Sequence, residues 1–148
     1  MRLIETRMNN AIRKRQNFSN GNTRVATGSF FNNDVYCEES KVFLHGNHIA
    51  TYDHVTKELA LFDGGWQSNT TKSRLNALCY EFATGFGVFQ KNWDWFVSDF
   101  NQKNVIDFFN GVTVYSDGVF IKSKKLRLGR RSLIHEIKYI YFLTKGFF

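Results

Sequence analysis

Short apolar runs separated by turn-forming residue pairs constrain the fold more than any other feature of this sequence. Gly46-Asn47, Asn110-Gly111 and Asp117-Gly118 each lie between two such runs. Pairs of this kind are the strongest short-range signal of a two-residue β-hairpin. Proline is absent, so the turns depend on Gly, Asn and Asp. The pattern predicts antiparallel strands joined by tight turns.

The Gly46-Asn47 pair predicts a detailed register. His45 would face His48 and Leu44 would face Ile49, so that the two histidines lie side by side on one surface of the hairpin. A second reversal near residues 54–57 leads into an apolar run at 59–62. We therefore expect a three-stranded antiparallel meander.

Two helices are predicted from apolar residues at helical spacing. The first spans about residues 3–16 and the second about residues 71–82. Ser68 to Thr71 are good N-caps for the second helix, and Trp66 is expected to fold onto it as a staple-like contact. The apolar stripes are Ile4, Met8, Ala11 and Ile12 in the first helix, and Thr71, Leu75, Leu78, Cys79 and Phe82 in the second.

Residues 87–97 alternate as a strand would, which places Trp93 and Trp95 on one face. Further strands are predicted at 23–27, 105–109, 112–115 and 119–121. Residues 132–143 fit a helix or a strand, and we favour the helix.

The predicted fold class is α+β, with one domain over residues 1–148. Antiparallel meanders and hairpins carry an N-terminal helix and a central helix packed on one face, and residues 122–148 form a candidate basic C-terminal extension.

The net charge of +7 is concentrated at the two ends of the chain. Residues 1–31 hold six cations against one acid, and residues 122–148 hold eight against one. Such basic segments are typical of proteins that bind a polyanion, although crowded like charges also occur on simple solvated surfaces. The N-terminus of the second helix offers a further anion-binding feature.

The predicted nucleic-acid-binding surface combines cations with aromatic rings, as single-strand-binding proteins do. Its residues are Lys72, Arg74, Trp93, Trp95, Lys122, Lys124, Lys125, Arg127, Arg130 and Arg131. The alternatives are that the tryptophans pack in the core and that Arg74 pairs with Asp63 or Glu81 to stabilise the fold.

Four segments resemble a family of small uncharacterised proteins encoded by tailed bacteriophages. They are NTRV at 22–25, LHGNHIA at 44–50, GWQSNTTKSRLNAL at 65–78 and FQKNWDW at 89–95. The resemblance covers about residues 5–97, carries no assigned activity, and implies a phage gene product made in the cytoplasm of a bacterial host. Residues 98–148 have no counterpart in it.

Enzymatic motifs are weak in this sequence. His45 and His48 lack an evident third ligand for zinc. Asp53-His54, Gly64-Gly65 and Asn76 to Cys79 resemble an HNH nuclease only faintly, because no histidine follows Cys79 until His135. No Walker loop, GxSxG elbow or Rossmann fingerprint is found. We therefore expect no catalytic residues, no metal site and no cofactor.

Three functional hypotheses follow, in order of preference. The first is a non-enzymatic phage accessory protein that binds nucleic acid through basic and aromatic surface residues. The second is a protein-interaction or virion assembly protein with a host or phage partner, and the third is an HNH-like metal nuclease. Cys37 and Cys79 do not form a disulfide or zinc pattern, and no segment has the length of a membrane span. We expect a protein of the host cytoplasm or the virion, without membrane partners.

Overall fold

Two helices pack against antiparallel sheets, and this confirms the α+β class. The structure, a computed structural model, describes residues 1–99 and 104–115 and the backbone of residues 121–122. The elements are α1 (Leu3–Arg13), β1 (Phe18–Asn20), β2 (Thr23–Asn32), β3 (Val35–Leu44), β4 (Asn47–Asp53), β5 (Glu58–Leu61), α2 (Asn69–Phe82), β6 (Gly87–Lys91), β7 (Asp94–Ser98), β8 (Val105–Asp107), β9 (Val112–Tyr115) and β10 (Ile121–Lys122).

The described strands form two antiparallel sheets. The larger has the order β1-β2-β3-β4-β5-β9-β10, and the smaller is the β6-β7-β8 meander. The predicted meander is confirmed as β3-β4-β5. The strands on either side of Asp117-Gly118 pair with each other as β9 and β10; that turn and residues 132–143 lie outside the described residues.

The core lies between the helices and the larger sheet. Met8 and Ile12 of α1 and Leu75 and Leu78 of α2 are fully buried. The larger sheet contributes a row of buried residues on the same side, among them Val25, Val42, Ile49, Leu59 and Leu61. The helical periodicity of the sequence therefore identified the correct faces. Helix α1 ends at Arg13, three residues before the predicted boundary, because Arg15 adopts a left-handed φ of 54°.

The entry to α2 is organised by its cap and by a glycine. The Ser68 hydroxyl accepts a hydrogen bond from the Thr71 amide at 3.1 Å, as the cap prediction requires. Gly64 lies against β4, where an added Cβ would come within 3.1 Å of Ile49 Cγ2. Trp66 does not fold onto the helix, because it is 75% exposed; the staple prediction is wrong, and Gly64 makes the close contact instead.

The β3–β4 turn differs from its prediction because neighbouring residues take the left-handed conformation. The β3–β4 turn is His45-Gly46, with φ of 51° and 80°, so His48 pairs with Phe43 and not with His45. The predicted facing histidines are therefore wrong.

Asn110-Gly111 is not a hairpin turn, because it connects β8 and β9, which belong to different sheets. The Gly111 amide donates to the Leu61 carbonyl at 2.8 Å, and the Asn110 side chain accepts from the Asp63 amide at 2.8 Å. These contacts attach the segment to the end of β5 instead of to its predicted partner.

The two adjacent glycines before α2 give a matched test of this packing. Both have a positive φ, 70° at Gly64 and 85° at Gly65, but an added Cβ meets nothing within 4 Å at Gly65. Gly64→Ala should therefore lower the free energy of unfolding by about 1–3 kcal/mol more than Gly65→Ala, since only the former adds overpacking to backbone strain. Urea denaturation measures both, and equal losses would contradict the contact with Ile49.

Candidate functional site

Arg74, predicted as a surface cation, lies inside the protein with 3% of its side chain exposed. Its guanidinium Nη1 is 2.8 Å from Glu5 Oε2, and the Glu5 side chain is also only 3% exposed. Its Nε donates to the Thr23 hydroxyl at 3.1 Å and its Nη2 to the Asn22 side-chain oxygen at 3.3 Å. The guanidinium is fully used by the fold, so Arg74 is removed from the predicted binding surface. Its partner is Glu5, and neither Asp63 nor Glu81.

Glu5 is held ionised by the groups around it. Burial acts to raise its pKa, but hydrogen bonds from Ser73, from the Arg2 amide and from Arg74, together with the Arg74 charge, outweigh burial and lower the pKa below 4.5. The Ser73 hydroxyl is 2.6 Å from Oε2, and the Arg2 amide donates to Oε1 at 3.1 Å. A buried charge is tolerated when it is paired and hydrogen-bonded in this way.

The two tryptophans predicted to share a strand face are separated by a turn. Asn92-Trp93 forms the β6–β7 reversal, with φ of 52° and 70°. Trp93 is consequently 88% exposed, whereas Trp95 is 4% exposed and contacts Phe108 edge-to-face at 5.4 Å. The shared-face prediction is wrong, and Trp95 belongs to the core.

Lys72 lies near the same turn. Its ammonium group donates to the Gln90 side chain at 3.2 Å, and Gln90 pairs with Trp95 next to the exposed Lys91. Of the remaining predicted residues, Lys122 is described by its backbone in β10 alone. The side chain of Lys122 and all of Lys124, Lys125, Arg127, Arg130 and Arg131 lie outside the described residues.

His48 is half-buried, and His54 and Cys79 are buried. His48 Nε2 lies 2.7 Å from the Thr51 hydroxyl and its ring packs on Phe62 at 4.5 Å. Burial lowers the pKa of both His48 and His54 below 6.5 and raises the pKa of Cys79 to about 12. Within the described residues, no group of three His, Cys, Asp or Glu side chains is arranged to hold a metal ion.

A polar layer closes the core at one end of the large sheet. His54 Nε2 is 2.7 Å from the Ser40 hydroxyl, which is 2.6 Å from the Thr27 hydroxyl. A serine–histidine contact resembles a nucleophile with its base, but Ser40 is completely buried and His54 is 5% exposed. The layer therefore satisfies interior polar groups, and it lies where β2 and β3 leave the body of the protein.

Beyond this layer β2 and β3 continue as a hairpin arm, residues 28–39, which the strand predictions missed. Its turn is Asn33-Asp34, with φ of 50° and 64°. The five residues of β2 past Thr27 extend about 17 Å at strand spacing. The available signal was the Asn-Asp pair between two apolar pairs, since Asn and Asp tolerate left-handed backbone in turns.

The arm exposes large apolar side chains at a density found nowhere else in the described residues. The described residues include eleven exposed large apolar side chains, and four of these lie within seven consecutive positions of the arm. Their exposed fractions are 45% for Phe30, 73% for Phe31, 61% for Val35 and 46% for Tyr36. Phe31 and Tyr36 face each other across the hairpin, with ring centroids 5.6 Å apart.

The Phe31–Tyr36 pair lies on the extension of the core face. Alternate residues of a strand share a face, and β2 presents Thr23, Val25, Thr27 and Phe31 in one row. Thr23 and Val25 are each 1% exposed in the body, and the row becomes exposed only beyond the Thr27–Ser40 contact. The arm therefore carries a core-like surface that no described element covers.

The arm is acidic, in contrast to the chain as a whole. Asp34, Glu38 and Glu39 are its charged residues, and no Lys or Arg occurs from 25 to 40. At its base, Glu38 pairs with Arg15 at 2.8 Å and Glu39 lies 3.6 Å from Lys41. The tip, with Asp34, is negative and apolar.

A cleft of about 270 Å³ lies beside the N-terminus of α2. His45, Asn47, Trp66 and Ser68 are among its lining residues. It brings together the LHGNHIA and GWQSNTTKSRLNAL segments. Gly64, which immediately precedes the second segment, also contacts Ile49 in the first.

These features define a small α+β protein with a closed body and a protruding apolar hairpin. The chain belongs to the Kyanoviridae Gp96 protein family, a phage protein family whose model matches residues 1–115. The resemblance to phage-encoded proteins is thereby confirmed. No curated protein and no solved structure matches the chain. Neither described helix has the length and apolar character needed to cross a membrane.

The buried pair can be tested against the other cation of the same helix, Lys72, which is only partly buried. Arg74→Met should lower the free energy of unfolding by about 3–5 kcal/mol, because Glu5 is left as an unpaired buried charge. Lys72→Met is the control and should change it by less than about 0.5 kcal/mol. Replacing Glu5 and Arg74 together by apolar residues should recover most of the loss. If Arg74→Met were as mild as the control in urea denaturation, the guanidinium would not be buried.

Proposed function

We propose that this phage protein is a protein-interaction protein that binds a protein partner through its hairpin arm. The observation that carries the proposal is the exposed Phe31–Tyr36 pair at the end of a face that is buried in the body. Single exposed apolar residues are common, but a concentrated group marks an interaction site. A partner that covers the two rings continues the core beyond the limit of this chain.

The charge of the arm determines the class of partner. Lys and Arg supply the sequence-independent affinity for phosphates, and the arm has three acids and neither cation. Repulsion would therefore keep nucleic acid away from Phe31 and Tyr36. Aromatic residues with a polar surround are typical of the centre of protein interfaces. A protein surface thus fits the arm better than a nucleic acid does.

Two serine substitutions at side chains of equal exposure test the proposal. Phe31→Ser removes an arm ring, whereas Tyr80→Ser removes a ring that is also 73% exposed but lies on α2. The tagged protein, incubated with a nuclease-treated extract of infected bacteria, should retain a stoichiometric partner in its wild-type and Tyr80→Ser forms. Phe31→Ser should reduce retention at least about tenfold, as loss of a central aromatic residue does.

The extract experiment has one outcome that rejects the proposal. If the Phe31→Ser protein retains the same partner as fully as the wild type, the arm does not carry the interaction. Circular dichroism of each variant verifies that the body is folded before the comparison is made.

Nucleic-acid binding is the second candidate, and the surroundings of Trp93 favour it. Trp93 is 88% exposed at the β6–β7 turn, Lys91 is exposed next to it, and Lys72 lies beside Gln90. One ring with two cations matches the stacking and phosphate contacts that single strands need. Residues 122–131 hold six cations and no acid, and this charge would add to the attraction of a polyanion.

An oligonucleotide titration tests the second candidate. Affinity for a random single strand should fall steeply as salt rises, and Trp93→Ala should weaken binding by about 1–3 kcal/mol through lost stacking. Trp66→Ala, at a tryptophan that is 75% exposed, is the matched control. Replacement of Lys124, Lys125, Arg130 and Arg131 together measures the contribution of the tail. Absence of binding at low salt eliminates this candidate.

A further inference from the structure

The outer edge of β2 in the arm carries no neighbouring strand among the described residues. Strand β1 covers β2 only from Thr23 to Val25. The Asn17 side-chain oxygen then accepts a hydrogen bond from the Thr27 amide at 2.9 Å. In an antiparallel strand every second residue directs its N–H and C=O groups to the same side. Because the Thr27 amide points outward, the backbone groups of Ser29 and Phe31 also point outward.

This edge lacks the features with which proteins block strand addition. Natural edges are protected by Lys or other charges, by Pro or by bulges. Residues 25–32 contain no charged residue and no proline, and they pair with β3 in a continuous register. The edge is therefore suited to accept a further strand through backbone hydrogen bonds.

We propose that a second copy of this chain occupies this edge, with β2 pairing antiparallel to β2 of the copy about a two-fold axis. The proposal rests on the protein-binding role of the arm and specifies its partner. A two-fold contact joins the same surface of both copies. An edge used in this way must therefore be self-complementary, without like charges that would face each other. The uncharged β2 edge meets that requirement.

The opposite edge of the arm does not. Strand β4 covers β3 as far as Glu39, and the Glu38 carbonyl accepts a hydrogen bond from the His54 amide at 2.8 Å. Only Val35 to Cys37 are left uncovered by the described strands, and self-pairing centred there would bring Glu38 of each copy next to Asp34 of the other. Like charges on neighbouring strands are destabilising. Charge therefore selects the β2 edge over the β3 edge for a symmetric contact.

The antiparallel orientation also pairs unlike charges at the ends of the two arms. The tip of each arm, with Asp34, would lie towards the base of the other, where Arg24 and Lys41 are exposed. The acids of β3 stay on the strands remote from the axis. Both Phe31–Tyr36 pairs would lie on the same face of the joined sheet and form one apolar surface of four rings.

Sedimentation of the purified full-length chain, after nuclease treatment, tests this interface. The wild type should change from monomer to dimer as concentration rises. Ser29→Lys places like charges across the two-fold axis and should raise the dimer Kd at least about tenfold. Thr84→Lys, which adds the same charge at an exposed position in the turn after α2, should leave the Kd unchanged. Phe31→Ser gives a second variant that does not add charge.

Cysteine cross-linking locates the axis. In a Cys37→Ser background, where Cys79 is buried, single cysteines at 29, 30 and 31 should form a disulfide-linked dimer at the position nearest the axis, and a cysteine at 19 should not. Dimers that persist in Ser29→Lys and are lost in Thr84→Lys would overturn the proposal. So would a monomer at every concentration; if Phe31-dependent capture of another protein then remained, the role of the arm would stand and only its partner would be wrong.

Discussion

The ion pair between Arg74 and Glu5 connects the parts of this protein that are distant in sequence. The two residues are 69 positions apart, and the same guanidinium reaches Asn22 and Thr23 at the start of β2. An unpaired buried charge would cost several kcal/mol, so Glu5 and Arg74 must become buried together. The pair thereby fixes α1, α2 and the first residues of β2 relative to one another.

Strand β2 transmits that constraint outward. It begins at Thr23, which binds Arg74, passes through buried Val25 and ends at Asn32 in the exposed tip. The Thr27–Ser40–His54 contacts close the interior where the strand leaves it. The arm is therefore a continuation of a strand that is anchored in the core. Presenting Phe31 and Tyr36 on an ordered strand lowers the entropy cost of binding a partner.

Local signals predicted the helices well because their causes are local. The apolar spacing of α1 and the Ser68 cap of α2 depend on neighbours within one or two turns. The burial of Arg74 depends on Glu5, on the far side of the chain, and a cation on a helix is ordinarily exposed. Charge alone therefore misassigned Arg74 to a binding surface.

The two tryptophans and the arm show a related limit. Alternation placed Trp93 and Trp95 together, and the left-handed turn at Asn92-Trp93 separated them, since a turn changes which residues share a face. The arm was missed because residues 28–39 include no buried side chain in the described structure and so lack the alternation of a half-buried strand. No described element covers its apolar residues, and a protein partner is the explanation that we propose.

An NMR titration of the Glu5 side-chain carboxyl reports on the buried ion pair, since the environment of that carboxylate depends on Arg74, Ser73 and the Arg2 amide at once. We expect a pKa below the ordinary value of 4.5. A pKa at or above 4.5 would show that burial outweighs the hydrogen bonds and the guanidinium charge, and would contradict the placement of Arg74 in the interior.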